Sequence, residues 1–579
     1  MNISFMRSVV LGCLIGLLFS AVVFADYHYA SHTGSDEYPY SSWATAADSI
    51  QPAVDATSPG DTLFIASGFW QESVVLGFYD SLAIIGAGWD STFLYTDEYQ
   101  TAALLLGDGC YVDGINLRSN WIAGDSYAGA SLIISSCKFV GSLVGAQVHR
   151  GTSAVLNCIF DSCSIGISSP GWSVNLHIKN NLITNTTGYT AIQLQANTVL
   201  VENNIIINCV GSGNSSIEGA PYHAVVRNNV FIRGLGGIFG NRVLNNIVEG
   251  MRLPGPEGGH GIIATAFDTV ANNILTGCRV GIDVFEDSLG CLINYNCFWR
   301  NDTDIRSYGF PFDSIGNIFR DPMFVNPESL NFHLQAFSPC IDAGEPNILD
   351  MDGTRSDIGI YGGPVGESYF YLDLPPGTPD SLSGFLSPDD TTVYLSWRQN
   401  WETDFLGYRL YRGTTSGFEP SPENMIAEPQ TCSFEDGNIV SGRNYFYRVS
   451  AVDSQGNESA PSFELSIIQT GVDDARPGRP EKFNVLTNYP NPFNSGTVIS
   501  FYVADIGPIP AEIKIEIYDI AGRVVRTLVN SKYPIGTHNA AWDGRDDFGQ
   551  ELPSGAYLAK IYQWGLNILG NSKKMVLVK

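Results

Sequence analysis

Charge is scarce in this chain, and what there is has one sign. Only 16% of its 579 residues are Asp, Glu, Lys or Arg, and 59 acidic against 31 basic side chains give a formal net charge of −28. Such a surface repels phosphate backbones and anionic lipid, so neither nucleic acid nor an acidic membrane is expected as a partner. Divalent cations and neutral glycans stay compatible with it. After residue 25 no stretch is long and apolar enough to span a bilayer. The 11 cysteines include no Cys-x-x-Cys pair, and no Cys-His spacing fits zinc. The middle of the chain lacks amphipathic helical spacing and also the leucine framework of a leucine-rich repeat.

What fills that middle is a repeated phrase of two small polar residues followed by two mostly apolar ones. It runs Ser136-Cys137-Lys138-Phe139, Asn157-Cys158-Ile159-Phe160, Asn180-Asn181-Leu182-Ile183, Asn203-Asn204-Ile205-Ile206 and Asn228-Asn229-Val230-Phe231. It continues through Asn245-Asn246-Ile247-Val248, Asn272-Asn273-Ile274-Leu275 and Asn296-Cys297-Phe298-Trp299. Its second position falls at 137, 158, 181, 204, 229, 246, 273 and 297, a period mostly in the twenties. That period implies one supersecondary unit per repeat, stacked into a solenoid. A second phrase, as in Gly145-Ala146, Gly166-Ile167, Gly237-Ile238 and Gly281-Ile282, adds another short strand to each coil. A parallel β-helix fits, with coils about 4.8 Å apart.

The columns assign roles. The fourth position is always apolar and should face the core, with Trp299 closing the series. The Asn pairs should form ladders, because Asn tolerates left-handed turns and stacked amides hydrogen-bond along the stack. Cys137, Cys158, Cys163, Cys209, Cys278 and Cys297 fall in register and read as buried thiols, with inter-coil disulfides the alternative in an exported protein. Arg7, the apolar run to Phe24 and Val23-Phe24-Ala25 read as a signal peptide cut after Ala25.

Ser49 to Ala56 reads as a short amphipathic helix able to cover the open end of a solenoid core, and Pro59 to Glu72 as the first strand and its turn. With the Asn ladders, this opening resembles that of pectin-lyase-like right-handed parallel β-helix proteins. Asp321-Pro322-Met323-Phe324, Ser338 to Gly344 and Asp357 to Gly362 resemble the end of secreted bacterial members. The resemblance spans about residues 44–365 and implies a fold, not a reaction, because the superfamily holds lyases, hydrolases and proteins without a known reaction. After Pro375-Pro376-Gly377-Thr378-Pro379, the strands around Trp397, Tyr408 to Arg412 and Tyr445 to Asp453 resemble a fibronectin type III sandwich. Beyond a second linker, Asp473 to Pro480, come Tyr489-Pro490-Asn491-Pro492-Phe493-Asn494, Trp542-Asp543-Gly544, Ser554-Gly555-Ala556-Tyr557 and a terminal Lys-Met-Val-Leu. This run resembles the C-terminal sorting domain of type IX secretion substrates, and it shares Trp-Asp-Gly and Ser-Gly-x-Tyr with the immunoglobulin-like domain of flagellar hook-capping proteins. The expected organisation is all-β. It has a signal peptide at 1–25, a right-handed parallel β-helix at 26–371, and two β-sandwiches at 379–470 and 480–579, the last separate and weakly docked.

Chemistry is thinly signposted. Gly259-His260-Gly261 resembles the Gly-His-Gly of polygalacturonases, but no Asp lies between Asp161 and Asp268 and no Arg-Ile-Lys follows, so His260 is expected to be a strand start. Lys179, Glu202 and Arg227 each lie two residues before the second phrase position on successive coils. They should point outward in one column, as a solvent-facing salt-bridge ladder. The same Lys179 and Arg227 are the candidate catalytic residues of a uronate lyase, which needs a base for the proton beside the carboxylate and a cation for the enolate. His149, Arg150, His177 and His223 could share that face. Asp350, Asp352 and Asp357 are candidate calcium ligands, with an Asx-turn loop the alternative; no other cofactor is expected. The sequence points to an exported protein at the outer-membrane surface or outside the cell. Its expected partners are an extracellular polysaccharide or cell-surface glycan and the type IX export machinery. A polysaccharide lyase on an acidic glycan and a non-catalytic structural or adhesion protein are the alternatives.

Overall fold

A computed structural model describes residues 25–578 except 78–80, 99, 127–130, 150, 171–173, 189, 197, 210–214, 220–222, 235, 252–258, 286–289, 310, 388–389, 468–483, 490, 495, 504–510, 521, 534–535, 548–549 and 564–567. The signal-peptide segment up to Phe24, Arg150 and the linker from Asp473 to Pro480 lie outside the described residues. The chain forms two compact units, Met1–Phe319 with Cys340–Tyr369, and Arg320–Pro339 with Phe370–Lys579. Residues 320–339 thus go with the second unit rather than with the solenoid.

The first unit is a parallel β-solenoid. Among the described residues its three sheets have 13, 11 and 11 strands, and each coil adds one strand to each sheet in turn. We call them the first sheet (from Tyr27–Ala30), the second (from Gly68–Gln71) and the third (from Val74–Val75). The expected stacking is present: Ile183 pairs in parallel register with Ile206, and Phe139 stacks on Phe160 with ring centroids 4.6 Å apart. The helix Ile50–Asp55 covers the start of the core with Ile50, Ala53 and Val54 buried. Glu72 accepts from the backbone N–H of Ile50 and Gln51 at 2.8 and 3.1 Å, capping that helix.

The Asn pair divides its labour. The first member makes the turn: Asn157, Asn180, Asn203, Asn228, Asn245 and Asn272 have φ between 55° and 58°, where most side chains cost about 1–2 kcal/mol. The second member builds the ladder. Asn204 Oδ1 accepts from both N and Nδ2 of Asn181 at 2.9 Å, while Asn204 Nδ2 donates to Ile178 O and to Asn229 Oδ1, each at 2.9 Å. The pattern repeats at Asn229, Asn246 and Asn273 and reaches Asn296 and Asn317. In the last coil the register departs by one residue from the expected one. Tyr295 takes the left-handed turn at φ 54°, Asn296 joins the ladder, Phe298 pairs with Leu275 in the core column, and Trp299 sits beside Thr276. Cys137, Cys158, Cys163 and Cys209 are buried free thiols, as expected.

The turn asparagines also hold the closing segment. Asn228 donates to Ile360 O and Gly362 O, and Asn245 donates to Asp357 O and Gly359 O. Gly359, at φ +108°, passes so close that a Cβ there would stand 2.8 Å from Ile274 Cδ1. Ile247 and Ile274 are therefore fully buried although they occupy the outward position of the phrase.

The second unit is antiparallel. Strands Phe405–Gly413 and Tyr445–Asp453 anchor a four-stranded sheet packed around Trp397 and Tyr408. Strands Ala511–Tyr518 and Gly555–Gln563 anchor another packed around Trp542. Between them runs one six-stranded sheet in the order Ser433–Asp436, Val393–Ser396, Ser383–Leu386, Gly536–Trp542, Thr497–Val503, Asn484–Tyr489. This differs from the expected separate, weakly docked last sandwich. Ser383 and Gly384 pair directly with Ala540 and Asn539, so one sheet is built from both sides of residues 468–483.

Candidate functional site

On the outer face of the first sheet, three successive strands bring Lys179, Glu202 and Arg227 into register. Lys179 Nζ lies 2.8 Å from Glu202 Oε1, and Arg227 donates through Nε and Nη2 to Oε2 at 3.0 and 2.7 Å. His177 Nε2 stands 3.1 Å from Oε1. The column is real, but it is not a solvent-facing ladder. Glu202 is only 3% exposed, enclosed by three partners that are each about a third exposed. Hydrogen bonding from His177, with Lys179 and Arg227, holds its carboxyl well below the usual range against the opposing effect of burial. In this pairing Lys179 is a hydrogen-bond donor to a carboxylate, which is the wrong role for a base that takes a proton from substrate. His223 is exposed, and His149 follows the third-sheet strand Val144–Gln147, 3.0 Å from Asp125 Oδ1.

The third sheet carries a second cluster, built the same way. His260, Asp283 and Arg306 come from three successive coils, with Asp283 and Arg306 in direct register. His260 Nδ1 lies 2.7 Å from Asp283 Oδ2, and Arg306 donates through Nε to Oδ1 at 2.9 Å and through Nη2 to Oδ2 at 2.5 Å. Asp283 is fully buried. Burial opposes its charge, but Arg306 and His260 outweigh it and keep the carboxyl below its ordinary value. Two residues on, just past the ends of strands Val280–Val284 and Thr303–Arg306, stand Phe285 and Tyr308, 39% and 60% exposed. Their ring centroids are 5.8 Å apart, and the Arg306 guanidinium lies 5.0 Å from the Tyr308 ring. The site therefore offers an exposed aromatic pair beside a cation locked in place by a buried acid. His260 does begin a strand, as expected, but its acid and its Arg were missed. The available signal was the position after the Gly-Ile phrase: Gly281-Ile282-Asp283, then Asp304-Ile305-Arg306 one coil later.

The acidic loop is organised by backbone, not as one ligand shell. Asp350 accepts from the N–H of Asp357 and Gly363, Asp352 from the N–H and hydroxyl of Thr354, and Asp357 from the N–H of Asp342. Each carboxylate has its own turn to close, so the three do not converge on a common point. Among the described residues, the acidic group whose oxygens do converge, within 4.8 Å, is Asp373, Asp404 and Asp453 in the second unit. There Asp453 already accepts from Gln455 and Asn457.

Comparison with known proteins places one segment. Residues 495–565 match the FlgD Ig-like domain family. An amylopullulanase of Thermoanaerobacterium saccharolyticum is 38% identical over 74 residues, 12% of this chain and 5% of that protein. Exoglucanase B of Cellulomonas fimi is 27% identical over 193 residues, 31% of this chain and 16% of that protein. The chain thus spans only a small part of the curated relatives it matches. An Fn3-like protein from Clostridium thermocellum is 28% identical over 17% of this chain and 97% of that structure, with a TM-score of 0.15, too low to carry an argument.

Proposed function

We propose that this is an exported surface or secreted protein whose solenoid recognises an extracellular glycan, with the third-sheet cluster as the contact. The observation that carries this reading is the exposed Phe285–Tyr308 pair beside Arg306. Aromatic faces stack on the C–H side of a pyranose ring, and a fixed guanidinium donates to its hydroxyls or to a carboxylate. The formal net charge of −28 fits a glycan better than nucleic acid. Part of the sequence is shared with proteins named as an amylopullulanase and an exoglucanase, which agrees with work on or near polysaccharide. In this reading residues 379–470 are a fibronectin type III-like spacer. The C-terminal segment is an address for type IX export, supported by its Tyr-Pro-Asn-Pro-Phe-Asn opening and Lys-Met-Val-Leu ending; the hook-cap-like family match at 495–565 is the competing reading. A lyase at Lys179 and Arg227 is disfavoured because both cations are committed to Glu202.

The test is a glycan panel scored for binding and for unsaturated products. Phe285→Ala and Tyr308→Ala should each weaken binding about tenfold, the size of one lost stacking contact. Binding unchanged in both variants overturns the site, and product formation abolished by Lys179→Ala in a folded protein would restore the lyase.

A further inference from the structure

The strongest unassigned feature lies in the second unit, where an ion network crosses the shared sheet. Arg526 is 1% exposed yet charged. Its Nη2 lies 2.9 Å from Asp380 Oδ2 and donates to Ser381 Oγ at 3.0 Å, while Nη1 donates to Asp546 O. Arg398 lies 3.5 Å from Asp380 and 3.3 Å from Asp547 Oδ1. Each segment contributes one acid and one base, but the pairs cross the boundary: the buried Arg526 meets Asp380 at 2.9 Å, closer than Asp547 of its own segment at 3.9 Å, and Arg398 meets Asp547 at 3.3 Å. A buried guanidinium without its carboxylate is strongly unfavourable.

The neighbouring contacts cross the same boundary. Ser383 and Gly384 form ladder pairs with Ala540 and Asn539. Asn539 Nδ2 donates to Ser466 O at 3.0 Å, and Ala541 N donates to Leu382 O at 3.2 Å. The Phe385 ring stands 5.7 Å from Tyr533 and 5.0 Å from His538. Main-chain pairing, aromatic packing and a neutralised ion network therefore act on one surface, the kind of combination that holds separate chains together.

We infer that Asp380 to Phe385 together with Arg398 form a clamp for the C-terminal segment, which stays bound when the chain is cut between 467 and 484. The partner that fits this surface is the 484–578 segment of the same chain. Cleavage at that place then yields a two-piece protein rather than a released tail. Any process that frees the C-terminal segment must also pull Arg526 away from Asp380.

The test places a specific protease site within residues 468–483 of the full chain, cuts it, and runs the product on native size exclusion. Both pieces should co-elute and separate only in denaturant. Should the inserted site resist the protease, the chain is co-expressed as two polypeptides broken at the same place, with a tag on the C-terminal piece, and the untagged piece should co-purify one to one. Arg526→Met should weaken retention about a hundredfold or more, by removing the shortest ion pair across the boundary and leaving Asp380 with Arg398 at 3.5 Å. Arg523→Met, an exposed partner of Asp519 within the C-terminal segment, should not. Separation of the pieces under native conditions, or equal retention by Arg526→Met, overturns the clamp.

Discussion

Replacing Asn246 by Ala should be among the most damaging single changes available in the solenoid. Asn246 Oδ1 accepts from Asn229 N and Nδ2, each at 3.0 Å. Its Nδ2 donates to Val226 O at 2.9 Å and Asn273 Oδ1 at 2.9 Å, and the side chain is fully buried. Alanine leaves the Asn229 N–H buried without its acceptor, costing about 1–3 kcal/mol. It also opens a void the size of the lost amide, which adds about 1–2 kcal/mol. The expected loss is about 2–5 kcal/mol, read as the shift in urea midpoint of the solenoid transition by circular dichroism. Asn203→Ala should cost only about 1–2 kcal/mol, the penalty of a left-handed residue, and Asn203→Gly close to nothing, since Gly adopts that conformation freely. The ladder also predicts a chemical asymmetry. Asn246→Asp keeps the acceptor but loses both donors and buries a charge, so its deficit relative to wild type should shrink as acid protonates the carboxyl. If Asn246→Ala falls within about 0.5 kcal/mol of wild type, or Asn203→Gly costs as much as Asn246→Ala, the division of labour within the Asn pair is wrong.

Glu202→Gln should destabilise the protein by about 1–3 kcal/mol at pH 7, because two cations and a histidine lose their carboxylate. Since the folded-state pKa of Glu202 is depressed, its contribution is present above the unfolded carboxyl pKa and is lost as pH falls through the lower folded value. The urea midpoint of wild type should therefore drop more steeply on acidification below pH 5 than that of the variant, and parallel curves would refute this. Chelation by EDTA should leave the thermal midpoint unchanged, because Asp350, Asp352 and Asp357 are satisfied by backbone N–H groups. A calcium-dependent rise that Asp352→Asn abolishes would reinstate the ion.

How much of this was legible follows from what periodicity can encode. The stacking direction, the core column from Phe139 to Leu275 and the covering helix were readable, because a parallel solenoid repeats the same contact once per coil and the sequence must repeat with it. The last coil misled because Tyr295 occupies a turn position that six of the other coils give to Asn, so the surviving Asn-Cys dipeptide invited a shift of one residue. Burial of Glu202 was not legible: the register put it on the outer face, and the reach of His177 from the neighbouring column, together with Lys179 and Arg227, closes it off from water. Asp283 and Arg306 were hidden for a different reason. Their spacing is the ordinary repeat, and nothing in a single sequence separates a carboxylate that meets its cation one coil away from one that faces solvent. The contact between Arg526 and Asp380 joins residues far apart in the chain and lies outside any period. Contacts made once, between segments that do not repeat, leave no pattern to read, and in this protein the clamp depends on contacts of that kind.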